Sequence, residues 1–147
     1  MASGWNDFCG IIRDNNSIPA DMRELLILRS GTLNNAAYQW IQHEPVGRSA
    51  GLTTEQLLEI RLTPAFLGPV SPKTHLTPAL SAAMNFADWV TKAVYVPQPV
   101  YDSLKKYLSD MQMVDATATV GGYNFVSRFV VALNVDGKMD TPVPIPR

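Results

Sequence analysis

The chain has 147 residues, 46% of them apolar, a formal charge of -1 from 12 basic and 13 acidic side chains, and one cysteine. That is the size of one ordinary domain with enough apolar material for a real core, so a single unit over residues 1–147 is expected. Near-neutral charge without a Lys/Arg cluster gives nucleic acid no electrostatic footing, and Cys9 alone excludes an intrachain disulfide, a CxxC redox pair and a cysteine-built zinc cluster.

The opening MASGWNDFCG lacks the basic flank and apolar run of a secretory leader, and no apolar stretch is long enough to span a bilayer. A cytoplasmic protein that meets small molecules or its own copies, and no membrane, is the expectation. Asn15-Asn16-Ser17 fits a glycosylation sequon but reads as a turn in that setting.

Capping residues precede most apolar periodic runs and no strand-like alternation persists, which predicts an all-α fold. A first helix over Trp5–Arg13 ends at Asp14-Asn15-Asn16-Ser17, residues that favour local side-chain to backbone bonds. Pro19 suits the first turn of the next helix. That helix carries Glu24 among Leu25, Leu26, Ile27 and Leu28, with a bend or break expected at Gly31. Asn34 to about Val46 forms another segment, with Trp40 and His43. Thr53 and Gln56 make a capping box for a helix through Leu62.

Residues Thr63–Pro78 hold four prolines, too many for a helix, yet Phe66, Leu67 and Val70 are too apolar for a solvated linker; a packed loop is expected. Thr77 and Pro78 open a long helix reaching Val94, a short helix follows Pro99, and Ser109 with Gln112 caps a last helix from Asp110 to about Asn134. Gly121-Gly122 in its middle implies close helix contact or a kink. The tail from about residue 136, with three prolines in its last six residues, is expected to be extended and frayed, a neighbouring subunit being its other resting place.

Glu24 and His43 are the best candidates for chemistry. A carboxylate on an apolar helix is either solvated or held by a partner inside. Meeting an imidazole in a dry cleft, it would make a pair that takes and gives protons near neutrality. Residues three and four apart share a helix face, so Gln39 and Trp40 flank His43, and Tyr38 adjoins them. Arg29, Arg48, Arg61 and Arg128 are candidate partners for a substrate carboxylate, with ordinary ion pairing as the competing role. His75 could cover the pocket from the proline-rich loop; an exposed loop histidine is the plainer reading. Two distant histidines without ligand spacing predict no metal site, and no glycine-rich phosphate loop predicts a nucleotide cofactor.

Four segments resemble the carboxymuconolactone decarboxylase family, within the AhpD-like superfamily: MRELLILR (Met22–Arg29), YQWIQH (Tyr38–His43), AGLTTEQLLEIR (Ala50–Arg61) and YNFVSRFVVALNV (Tyr123–Val135). The resemblance implies an AhpD-like bundle of about six or seven helices that assembles into a homo-oligomer, trimer or hexamer, with a dimer possible. It also implies that Glu24 and His43, nineteen residues apart, match the superfamily's proton-relay pair. Peroxidatic members carry a CxxC where this chain has Ala36 and Gln39, so thiol peroxidase activity is not expected.

The expected activity is cofactor-independent acid–base chemistry on an oxygenated, carboxylated small molecule, such as decarboxylation of a lactone or keto acid in catabolism or natural-product biosynthesis. Tyr38, Gln39, Trp40, Arg29, His75 and Arg128 are the candidate substrate contacts. An isomerase or cyclase on the same scaffold, or a non-catalytic oligomeric binding protein, is the alternative.

Overall fold

The computed structural model describes residues 2–67 and 74–147. Seven α-helices and one short 3-10 turn make up its regular structure, with no strand among the described residues. The helices are α1 (Ala2–Asp14), α2 (Ala20–Leu33), α3 (Ala37–Ser49), α4 (Thr54–Leu62), α5 (Pro78–Lys92), α6 (Gln98–Lys105) and α7 (Asp110–Ala132). Of the proline-rich stretch, Gly68, Pro69, Val70 and Pro72 lie outside the described residues.

The bundle is built around α2, which packs against α3, α4, α5 and α7. Its residues Met22 and Glu24 through Gly31 are buried, so this helix has no solvated stripe. An element enclosed on all sides must find partners for whatever charge it carries. Two charged groups on α2 are therefore tied down, Glu24 at one end and Arg29 further along. Around them Leu25, Leu26, Leu28, Trp40, Leu57, Ile60, Ala83, Met84, Phe86 and Leu104 form the core. Each large apolar side chain enclosed there contributes about 1.5–3 kcal/mol.

Arg29 anchors the centre. Its Nε donates to Asp88 Oδ1 at 2.6 Å and its Nη2 to Asp88 Oδ2 at 3.0 Å, while Nη1 donates to the carbonyls of Ile60 and Thr63, both at 2.8 Å. Both side chains are fully enclosed. Asp88 also accepts the backbone N–H of Phe66 at 3.0 Å, so one ion pair fastens α2, α4, α5 and the start of the proline-rich stretch.

Several boundaries differ from the sequence expectation. Helix α2 does not break at Gly31; it runs to Leu33 and stops because Asn35 adopts a left-handed conformation at φ 53°. The N–H of Ala36 then reaches the carbonyl of Gly31 at 2.8 Å and that of Asn35 reaches Thr32 at 3.1 Å, a Schellman ending. Gly31 has a different use: a Cβ there would lie 3.2 Å from Gln39 Nε2, so its bareness lets α3 approach. Helix α3 begins at Ala37 rather than Asn34 and continues through Pro45 to Ser49.

Pro19 stands at the N-cap of α2 rather than in its first turn, and α5 stops at Lys92, short of Val94. Both capping boxes form, Thr53 with Gln56 and Ser109 with Gln112, and Thr77 caps α5 ahead of Pro78. In α7, Gly122 admits α1: a Cβ would come within 2.4 Å of Ile12 Cδ1, whereas Gly121 faces open space. Close approach, and no break in the helix, is the role of that pair.

The tail is extended as expected but it is not frayed. Val143 is buried in the main core, its carbonyl accepts from Arg61 Nε at 3.1 Å and Nη2 at 2.9 Å, and the carbonyl of Arg147 accepts from Arg48 at 3.1 Å. A buried apolar anchor flanked by arginine bonds outweighs the entropy of a loose terminus.

Candidate active site

Glu24 and His43, on α2 and α3, meet: His43 Nδ1 lies 2.8 Å from Glu24 Oε2. A carboxylate can only accept, so Nδ1–H is the donor in this bond, and Nε2 is the ring nitrogen left for another partner. Glu24 is 1% exposed. Its second oxygen, Oε1, accepts from Arg23 Nε at 3.3 Å, and that arginine is itself partly exposed. The carboxylate thus stands between the Arg23 guanidinium and an imidazole N–H, one oxygen on each.

Behind this contact lies the crossing of α2 and α3, which pack closely. Gly47, one turn beyond His43, permits it: a Cβ there would sit 3.5 Å from Glu24 Cβ and 3.2 Å from both Leu28 and Leu52. Trp40, fully enclosed, fixes the middle of α3 in the core and donates from Nε1 to Glu44 Oε2 at 2.8 Å.

His43 forms part of the wall of a cavity of about 410 Å³. Helix α3 contributes Tyr38, Gln39, Gln42 and His43, one face of a helix by their three- and four-residue spacing. Opposite stand Trp5, Asn6, Cys9 and Arg13 from α1, again spaced four apart along one face. Helix α7 closes the third side with Tyr123, Val126, Phe129 and Val130, and Val135 follows it. Glu24 is not in the wall; it is the support behind the imidazole.

Tyr123 stacks edge-on to His43, ring centroids 4.9 Å apart at 90°. Burial, and then the negative charge of Glu24, pushes its phenol well above the ordinary tyrosine value, so it stays a neutral O–H at any physiological pH. Cys9 is likewise pushed up, chiefly by burial, with Arg13 opposing. It is a thiol, and its nearest approach to thiol chemistry is poor. Trp5 packs on Phe125 and Phe129 with centroids 5.1 and 4.6 Å apart, holding α1 to α7.

Gln39 holds its amide by donating from Nε2 to the carbonyl of Ile27 at 2.8 Å. Its Oε1 is buried without a partner among the described residues.

Of the residues expected to touch substrate, Tyr38 and Gln39 line the cavity and the others do not. Trp40 is core. Arg29 is consumed by Asp88 and two carbonyls, because a guanidinium enclosed on α2 must satisfy its donors internally. Arg128 donates to the Asn124 carbonyl and side-chain oxygen and borders a separate cleft with Asn34 and Ser127. His75 is exposed, with its backbone N–H on Glu59, and borders another cleft beside Glu55 and Leu62. Arg48 is held by Glu44 and Thr54, and Arg61 by the tail.

Sequence reasoning missed the α1 and α7 walls. The signal for α1 was present in the four-residue spacing of Trp5, Cys9 and Arg13; nothing in the sequence said that this face turns toward His43. Among the described residues no three His, Cys, Asp or Glu side chains cluster as a metal site would require, and no helix is long and apolar enough to cross a membrane.

Comparison with known proteins agrees with this architecture. The family model described as carboxymuconolactone decarboxylase matches residues 1–89, the part that contains α1, α2 and α3. A crystal structure of a protein of unknown function from Agrobacterium tumefaciens, described as a candidate antioxidant defence protein AhpD, superposes with a TM-score of 0.79. It shares 20% identity over 91% of this chain and 88% of that one, a likeness of fold. No curated protein matches.

Proposed function

The chain belongs to the carboxymuconolactone decarboxylase family, and on that footing we propose that it is a cofactor-independent acid–base enzyme acting on an oxygenated, carboxylated small molecule, with decarboxylation as the leading reaction. The observation that carries the reading is the 2.8 Å contact between a buried carboxylate and an imidazole that itself faces a cavity. In such a pair the carboxylate fixes ring orientation and tautomer and stabilises the imidazolium that forms when Nε2 takes a proton.

Decarboxylation beside a carbonyl breaks one C–C bond. The electron pair moves into the carbonyl to give an enolate, CO2 leaves, and a proton must reach the carbon. Nε2 first takes a proton from the substrate's own carboxylic acid, leaving the carboxylate that departs as CO2, or from solvent; the ring then delivers that proton to the carbon and returns to the Nδ1–H form. Tyr123, kept neutral by burial, would donate a hydrogen bond to the developing oxyanion, a role open also to Tyr38 or Gln42 on α3. Isomerisation or ring closure through an enolate uses the same groups, with Nε2 first accepting a proton from carbon.

Thiol peroxidase chemistry fits less well. The positions matching the superfamily's cysteine pair are Ala36 and Gln39, and the lone Cys9 has no resolving partner and a thiol that burial keeps protonated.

Replacing His43 with alanine should lower turnover of the true substrate at least about a hundredfold while circular dichroism shows the helices intact. Undiminished turnover in that variant would remove the assignment.

A further inference from the structure

The cavity has a charge signature that its chemistry does not require. Among the thirteen described residues that line it, Arg13 is the only permanent cation and none is Asp or Glu; Glu24 stands behind His43 with both oxygens engaged. Arg13 is exposed, and among the described residues it has neither an ion pair nor a side-chain hydrogen bond, unlike Arg23, Arg29, Arg48, Arg61 and Arg128. An arginine uncommitted to the fold, on the helix face that also carries Cys9 one turn earlier, leaves five donors for a ligand. Its charge reaches inward, opposing the effect of burial at both Cys9 and Tyr123.

From this arrangement we infer that Arg13 recognises an acidic group of the substrate at the cavity mouth, and that this group remains on the product. It rests on the reading of the cavity as the substrate site. The second half follows from differential binding: a guanidinium paired to a carboxylate stabilises the ground-state anion, and that pairing is surrendered as CO2 is lost. A group held by Arg13 is therefore an anchor, and the bond that changes lies further in, at His43 and Tyr123. The apolar surface that Trp5, Val126 and Phe129 add to the same wall suits a planar, conjugated skeleton, and about 410 Å³ accommodates two fused rings or their equivalent.

The test is binding of two shape-matched probes, 2-naphthoate and 2-naphthamide, followed by calorimetry and by the imidazole signals of His43 in NMR. The naphthoate should bind wild-type protein about tenfold more tightly than the neutral amide. R13M should abolish that preference, R13K should keep most of it, and R128M, on a separate cleft, should leave it intact. Equal affinities in wild type, or a preference that survives in R13M, would overturn the inference while leaving the cavity as a site. Failure of both probes to bind or to move His43 would overturn it together with the reading of the cavity.

Discussion

At the residue scale, enclosure holds two groups of the cavity wall, Tyr123 and Cys9, in their protonated forms. Tyr123 is the clearest case, since burial and the neighbouring Glu24 both disfavour its anion. A phenol whose folded value lies above its unfolded one binds more protons in the folded chain once the unfolded phenol begins to ionise, so folding stability falls as pH rises past about 10. Tyr123→Phe should flatten that loss. Urea denaturation at pH 8 and at pH 10.5 measures it: the wild type should lose more stability between the two than the variant, and equal losses would show that Tyr123 is not held as described. Glu24 and His43 were legible from sequence because two unlike polar groups stood on apolar helices within recognisable segments. Arg13 was not, since one basic residue on an amphipathic first helix looks like any solvated arginine until α1 is seen against the cavity. Arg29 misled for the opposite reason: a cation in a strongly apolar helix suggests ligand binding, and only Asp88, fifty-nine residues away, reveals its structural role.

At the element scale, helix starts were readable and helix ends less so. The capping boxes at Thr53 and Ser109 are local, satisfied within four residues, and so appear in the sequence as they appear in the fold. The end of α2 depended on which of several turn-prone residues would take a left-handed conformation, and Asn35, not Gly31, does so. How elements are fastened was not readable at all. The Arg29–Asp88 pair joins α2 to α5, and its carbonyl partners bring in the end of α4. Removing one member leaves an enclosed, uncompensated charge, a change that typically costs about 3–5 kcal/mol. Asp88→Ala should therefore be among the most destabilising single substitutions in the protein, measured as a fall of that size in the free energy of chemical unfolding. A loss below about 1 kcal/mol would show that the pair is dispensable to the packing of α2.

At the scale of the whole molecule, the all-α architecture followed from punctuation, and the tail shows what punctuation omits. Closely spaced prolines disfavour helix but do not say whether an extended segment docks; Val143 in the core, Arg61 on its carbonyl and Arg48 on that of Arg147 decide that it does. One feature of the surface stays apolar: Met111, Val114, Phe125 and Phe129 on α7 are exposed in the single chain, on a helix that also walls the cavity. Folding crosses α2 and α3 so that Glu24 and His43, nineteen residues apart, meet at 2.8 Å. The most direct measurement of that crossing is the nitrogen-15 spectrum of the His43 ring at neutral pH, in the native chain and in Glu24→Gln. A relay of the kind described gives a neutral ring fixed with its proton on Nδ1 and a bare Nε2, and loses that fixed tautomer when Glu24 is changed. A ring that exchanges freely between tautomers in the native protein, indifferent to Glu24, would contradict the account.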